Sequence, residues 1–257
     1  MIDVRNVGFR YVDGRPVFQD FSWHVDPGDA WSVLGPSGCG KSTLLYLLAG
    51  LRFPNEGQIQ VAGELLARPR PKTGLILQDY GLLPWASVRE NIALGLRIRG
   101  FYGPDGTHAP RDEIVVRVQR RVDPWLDRLG LDSVADSFPG QISGGQRQRT
   151  AIARTLALHP DLLLMDEPFA SLDAPTRESL QNLTLELRHE RGLTTVMVTH
   201  AIEEAALMGS HVLVLGDLPN SRPRIFENPG AATPEFRSRK AYSDMVHSLR
   251  QALEISA

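Results

Sequence analysis

The residues best placed to do chemistry are Gly35-Pro36-Ser37-Gly38-Cys39-Gly40-Lys41-Ser42, which fit the pattern G-x-x-x-x-G-K-[ST] and run on into Thr43. Glycines let the backbone curl into a nest whose N–H groups point inward at phosphate oxygens. A helix beginning near Ser42 adds its positive end at the same spot. Lys41 can then reach the β and γ phosphates of a nucleotide, and the Ser42 hydroxyl can ligate Mg²⁺. From average residue frequencies the pattern should arise by chance in about one chain in a hundred of this length. Here an apolar run precedes it and a breaker-free helical run follows, which is the context the chemistry requires. Cys39 sits inside the loop, where only the backbone need touch phosphate. No histidine is identifiable as a base for its thiol, so a catalytic cysteine is not expected.

A second group lies downstream. Leu162-Leu163-Leu164-Met165 runs into Asp166-Glu167-Pro168. An apolar strand that ends in two carboxylates delivers them at the carboxyl edge of the sheet, where ligands bind in α/β folds. Asp166 is placed to hold Mg²⁺ directly or through water. Glu167, one residue on, points elsewhere and can act as general base on an attacking water. Two acids after a strand are commonly just a solvated turn; the phosphate loop in the same chain tips the reading toward chemistry. Shortly before the acidic strand, Ile142-Ser143-Gly144-Gly145-Gln146 precedes another helix. Ser143 can cap it and the glycines permit close phosphate approach, making a second anion site. Two phosphate-recognising helix ends in one chain suggest nucleotide clamped between two copies.

The elements that must position these groups follow from period and punctuation. Strands are expected at 2–11 and 17–25, joined by a turn at Asp13-Gly14, and at 30–34 after the turn Asp26-Pro27-Gly28-Asp29. A helix over 42–49 is stopped by Gly50. Strands at 58–61 and 75–77 lead to a helical stretch from 88 to about 129, interrupted at 100–110. A helix at 144–158, strand at 162–165, helix at 175–191, strand at 195–199, helix at 201–208 and strand at 212–215 complete the alternation. The tail, rich in Pro, Ser and Arg, ends in a short helix near 242–253. Alternating short strands and amphipathic helices imply a mainly parallel sheet covered on both faces. The expected fold is therefore α/β: a phosphate-loop NTPase core with a mainly parallel sheet, an N-terminal antiparallel β subdomain and an inserted α-helical subdomain. Within a single domain over 1–257, residues 1–87 and 160–216 form the core, 88–159 the helical subdomain and 217–257 the C-terminal tail.

Composition narrows the function. Lys and Arg total 28 against 30 Asp and Glu, a formal net charge of -2, which offers no basic excess for nucleic acid. The single cysteine excludes an intramolecular disulfide and suits a reducing compartment. No apolar h-region follows a basic start, and no run supplies the roughly 18 apolar residues of a membrane span. A membrane role is therefore expected to be peripheral, on the cytoplasmic side and through a partner.

With these motifs in this order and spacing, the chain resembles the nucleotide-binding domain of ATP-binding cassette (ABC) transporters from about residue 2 to 215. Gln78, Ser171-Leu172-Asp173 and His200 match the family pattern further, while Ile142 stands where Leu is usual. The resemblance implies ATP and Mg²⁺ as ligands, with Gln78 beside Ser42 and Asp166 at the ion, sensing it and the attacking water. It implies that His200 contacts the γ-phosphate and helps position Glu167. Asp173 would lie at a dimer interface near the opposite copy's phosphate loop, and Tyr11 would stack on adenine. Asp79-Tyr80-Gly81-Leu82-Leu83-Pro84-Trp85 forms an apolar cluster beside Gln78 that suits a socket for a membrane partner's helix. That segment and the stretch from Thr199 to Leu215 resemble the nitrate, sulfonate and taurine importer branch. The implied partners are a second ATPase subunit, transmembrane permease subunits and, indirectly, a substrate-binding protein. Rival readings are weaker. A DNA-repair or chromosome ATPase would separate the motifs with coiled coils, and no sustained heptads occur. A GTPase or kinase leaves Ser143–Gln146 unexplained, and a regulatory binding module would tolerate loss of Glu167 or His200.

Overall fold

The computed structural model describes residues 1–12, 14–114, 117–222 and 224–254. Asp13 of the expected turn, Pro223 and the tail's last residues, 255–257, lie outside them. In chain order the strands and helices are β1 (Ile2–Arg10), β2 (Pro16–Val25), β3 (Ala30–Leu34), α1 (Lys41–Leu48), β4 (Glu56–Val61), β5 (Glu64–Leu65) and β6 (Thr73–Ile76). There follow α2 (Val88–Tyr102), α3 (Val118–Arg128), α4 (Gly144–Leu156), β7 (Leu162–Asp166), α5 (Ala174–Arg191) and β8 (Thr194–Thr199). Last come α6 (Ile202–Met208), β9 (His211–Val214), β10 (Arg224–Glu227) and α7 (Lys240–Glu254). The chain divides into two compact units: Met1–Pro69 with Leu164–Glu167 and Gln181–Ala257, and Arg70–Leu163 with Pro168–Leu180.

In the first unit, alternation of buried and exposed residues makes β1 and β2 antiparallel neighbours, with β4 on the other side of β1 and β5 beyond it. Every residue of β3 and β8 is buried, as expected of strands covered on both faces. β3 lies parallel between β8 and β9, in the order β10-β9-β3-β8-β7. At the edge of this order, β10 runs antiparallel to β9. Parallel pairing matters to function because it sends the carboxyl ends of β3 and β8 to one edge. The short β5 and β10 escape a period-based reading: β5 has two exposed residues, and β10 has no buried residue to mark a face.

In the second unit, α2 opens with a capping box in which the Ser87 hydroxyl accepts from the Glu90 amide and Glu90 accepts from the Ser87 amide. It stops at Tyr102 because Gly103 turns to φ 72°. The gap before α3 is wider than the expected 100–110 interruption. Asp105 gathers the amides of Thr107, His108 and Ala109 into a local turn that competes with helix.

Asn91 is the polar pin of this unit. Fully buried, it accepts from the Leu83 amide at 2.8 Å and donates to the carbonyls of Leu83, Ala86 and Ser87 at 3.1, 2.9 and 3.0 Å. It therefore fixes the 83–87 turn from which Trp85 projects, 73% exposed. Asn91→Ala strands several buried backbone groups and should cost about 2–4 kcal/mol in denaturant unfolding, with faster hydrogen exchange at the Leu83 amide. Unchanged exchange there would remove Asn91 as the pin.

Candidate functional site

The first unit carries the phosphate loop between the end of β3 and the start of α1. Gly38 and Gly40 take φ 82° and 102°, left-handed values that turn the loop back on itself. Gly40 has no room for more: a Cβ there would come 2.6 Å from a Val17 methyl carbon. Its helix starts without a side-chain cap, which leaves first-turn amides to other acceptors. Lys41, almost fully buried, donates to the carbonyls of Gly35 at 2.8 Å and Pro36 at 2.9 Å. Pro36, Ser37 and Gly38 form the loop's exposed crest, and Cys39 is buried beneath it. A Cβ on Gly35 would meet the Cys39 sulfur at 2.7 Å, so the thiol packs inward.

Asp166 and Glu167 emerge where β7 ends. The Ser42 hydroxyl donates to Asp166 Oδ1 at 3.1 Å, and the Tyr46 hydroxyl also hydrogen-bonds the carboxylate. Burial pushes the Asp166 carboxyl above its usual range; the Ser42 bond opposes that, and the Glu167 charge adds to it. Asp166 is 4% exposed, so a nearby cation would relieve its cost. The Ser42 and Asp166 oxygens fit Mg²⁺, which takes one or two protein oxygens together with phosphates and waters. Among the described residues, no group of three His, Cys, Asp or Glu side chains is arranged to hold a metal.

Glu167 occupies φ 44°, a left-handed conformation that costs a non-glycine residue ~1–2 kcal/mol. Its amide is tied to the Val198 carbonyl at 3.0 Å. The turn brings its carboxylate to His200, whose Nδ1 lies 3.0 Å from Glu167 Oε2. His200 is well exposed and Glu167 half-buried. Tyr11, just past β1, places its hydroxyl 3.0 Å from Thr43 Oγ1 on α1. Phe9 meets the Tyr11 ring edge-on, and the Arg52 guanidinium lies 5.7 Å from its centre.

The second unit holds the remaining expected residues. Ser143 caps α4: its hydroxyl accepts from the Gln146 amide at 3.2 Å, and Gln146 Oε1 accepts from the Ser143 amide at 2.9 Å. Gly144 and Gly145 face the segment carrying Asp173; a Cβ on Gly145 would come 2.6 Å from Thr176 Cγ2. The Thr176 amide and hydroxyl hold the Asp173 carboxyl below its usual range. Gln78 is exposed just beyond β6.

Several residues outside the expected set hold these groups. Tyr80 bonds Ser171 Oγ at 2.6 Å, and the Arg147 guanidinium lies 5.9 Å from its ring centre. Arg154 donates to the carbonyls of Tyr80 at 2.7 Å and Gly81 at 2.5 Å, fastening the segment after Gln78 to α4. In the first unit, Asn220 of the tail donates to the Cys39 carbonyl at 2.8 Å and accepts from the Gly216 amide at 3.1 Å. Tyr46 had a readable signal, lying one helical turn after Ser42 on the same face. Tyr80, Arg154 and Asn220 had none, because their partners are distant in sequence.

The family model described as "ABC transporter" matches residues 18–170. The chain is similar to the taurine import ATP-binding protein TauB of Pseudomonas aeruginosa, 41% identical over 93% of this chain and 88% of that protein. It is also similar to the aliphatic sulfonates import ATP-binding protein SsuB of Bacillus cereus, 35% identical over 93% of this chain and 88% of that protein. Among solved structures, the ATP-binding cassette MJ0796, a dimer in a post-hydrolysis state bound to ADP and Pi, aligns with a TM-score of 0.73. Its identity is 29%, over 90% of this chain and 100% of that one.

The packing of Cys39 yields a pH-dependent expectation. Burial raises its thiol above the usual range, with the Lys41 charge opposing. Iodoacetamide should therefore alkylate the native chain more slowly than the unfolded chain. The ratio of the two rates should be widest below the ordinary thiol pKa, shrink as pH rises from there toward the raised one, and level off above it. Because the sulfur abuts Gly35, an adduct displaces the nest, and alkylated protein should lose nucleotide binding. Normal binding by the alkylated chain, followed by mass spectrometry and calorimetry, would count against this packing.

Proposed function

The chain belongs to the ABC transporter family and is an ATPase of that family, and from this premise we propose that it is the motor subunit of an importer. In this reading, it couples ATP binding and hydrolysis, in a head-to-tail dimer, to transport by separate permease subunits. The uptake class is that of its nitrate, sulfonate and taurine relatives, with a substrate-binding protein engaged indirectly. The observation that carries the reading is the Glu167–His200 pair, held by a strained turn beside a phosphate nest and the Ser42–Asp166 couple.

The steps follow from the residues. The nest amides and the start of α1 bind the phosphates, and Lys41 releases the Gly35 and Pro36 carbonyls to meet them. Ser42 and Asp166 hold Mg²⁺, which when bound offsets charge developing on the phosphate oxygens. Glu167 takes a proton from the attacking water, and His200 keeps that carboxylate in place while contacting the γ-phosphate. Gln78 reads the ion and water, and Tyr11 offers its ring to adenine. In the second unit, Ser143, Gly144, Gly145, Gln146 and Asp173 serve the nucleotide of the opposite copy. Trp85 and its neighbours Leu82 and Leu83 receive a permease helix. Among the described residues no helix is long and apolar enough to cross a membrane; in this reading the chain works as a peripheral subunit on the cytoplasmic face.

The deciding experiment is ATP turnover of wild type beside Glu167→Gln, with size-exclusion chromatography in Mg-ATP. Loss of the general base should lower turnover by about 10²-fold or more, and the variant should elute as an ATP-dependent dimer. Wild-type turnover by Glu167→Gln would remove Glu167 as the base.

A further inference from the structure

The structure assigns a task to the C-terminal segment: we propose that it positions His200 through a buried hydrogen-bond relay, with Glu204 as the positioning residue. This rests on the reading of His200 as a γ-phosphate contact. His200 lies between the end of β8 and the start of α6, and α6 has only seven residues. So short a helix does not hold itself, and its first position, Ala201, provides no side-chain cap.

Thr199 does that work instead. Its hydroxyl accepts from the Ala201 amide at 3.0 Å and donates to Glu204 Oε2 at 2.8 Å. The peptide unit that follows His200 is thus tied to the side chain of the residue that precedes it. Glu204 Oε1 accepts from Gln181 Nε2 of α5 at 3.4 Å, and Gln181 Oε1 accepts from Arg237 of the tail at 2.7 Å. Thr199, Gln181 and Glu204 are 1%, 3% and 7% exposed. A carboxylate this far from water needs compensating donors, and the chain of bonds ends on a tail guanidinium.

The tail holds the rest of α6 as well. Asn228 donates to the carbonyls of Ala206 at 2.7 Å and Gly209 at 2.8 Å, and the Ala232 amide donates to Leu207 at 2.9 Å. These close the C-terminal carbonyls that a helix leaves open. On the flank, Leu249 of α7 shares a buried cluster with Ala205 and Ala206, and Met245, Val246 and Leu253 pack against it. Both ends and one side of the helix that follows His200 therefore depend on residues beyond β9.

A thermodynamic cycle separates positioning from plain stability. Arg237→Met and Thr199→Val are each made in the wild-type and His200→Ala chains, with kcat and KM for ATP measured by phosphate release. Folding is checked by thermal melting. If the relay acts through His200, each variant lowers kcat by about 3- to 30-fold in the wild-type background and causes no further loss beside His200→Ala. KM should stay within about twofold, since the phosphate nest and Lys41 rather than His200 carry most of the ground-state hold on ATP, and Arg237→Lys should recover part of the loss. In nucleotide-free protein, hydrogen exchange at the Ala201 amide should rise in both variants while β3 stays protected, a readout independent of turnover. Equal fractional losses in both backgrounds, or unchanged kcat and unchanged exchange in a folded Arg237→Met chain, overturn the proposal. A crippled His200→Ala chain beside fully active relay variants overturns it alone. A fully active His200→Ala chain overturns the reading of His200 as well.

Discussion

Asp166 is a carboxylate at the end of a strand that keeps every residue from solvent, and much of the first unit can be understood as the arrangement that makes this tolerable. Water cannot stabilise the charge, so protein groups must. Ser42 and Tyr46, one helical turn apart on α1, both hydrogen-bond it. That fixes where α1 begins and which face it turns to β7. The chain must then pass from β3 into α1 within a few residues, through Gly38 and Gly40 at positive φ. The nest is a consequence of that passage. Within it Lys41 satisfies its ammonium on the loop carbonyls of Gly35 and Pro36.

Glu167 is governed by a different balance. One residue beyond Asp166, continued extended backbone would carry it away from its neighbour, and its left-handed φ redirects the side chain to His200. Strain of this kind persists only where surroundings over-determine the conformation. The bond from its amide to Val198 supplies part of that, because β8 is itself locked beside β3. The imidazole supplies the rest from the other side of the same strand end. The geometry of the pair thus depends on what holds residues 199–201, which local sequence does not provide.

How much of this was legible varied with sequence distance. The phosphate loop, the acidic strand end and the Ser143 cap are contiguous, so residue types at fixed spacing specify the backbone they form. The α/β alternation was readable because β3, β7 and β8 are short runs dominated by apolar and β-branched residues, every one of them buried. The roles of Asn220, Arg154 and Tyr80 were hidden, since each acts on backbone carbonyls or hydroxyls far along the chain and none belongs to a motif. Arg154 reads as any basic residue on a helix until its two acceptors, Tyr80 and Gly81, are located. β10 was missed for a related reason: its pairing with β9, rather than any buried face, makes it a strand.

The two anion-binding helix starts also differ in a way that bears on order of events. α1 begins at a glycine whose missing side chain caps nothing, and Lys41 is held by two loop carbonyls. α4 begins with its box closed, Ser143 and Gln146 each satisfying the other's amide. Phosphate reaching α4 must displace or share those bonds, whereas phosphate reaching α1 fills a site already shaped for it. On the proposed function, the start of α1 is therefore the stronger acceptor of nucleotide, and the start of α4 would add its contacts only to a nucleotide already held elsewhere, which would make engagement of the second helix conditional on the first.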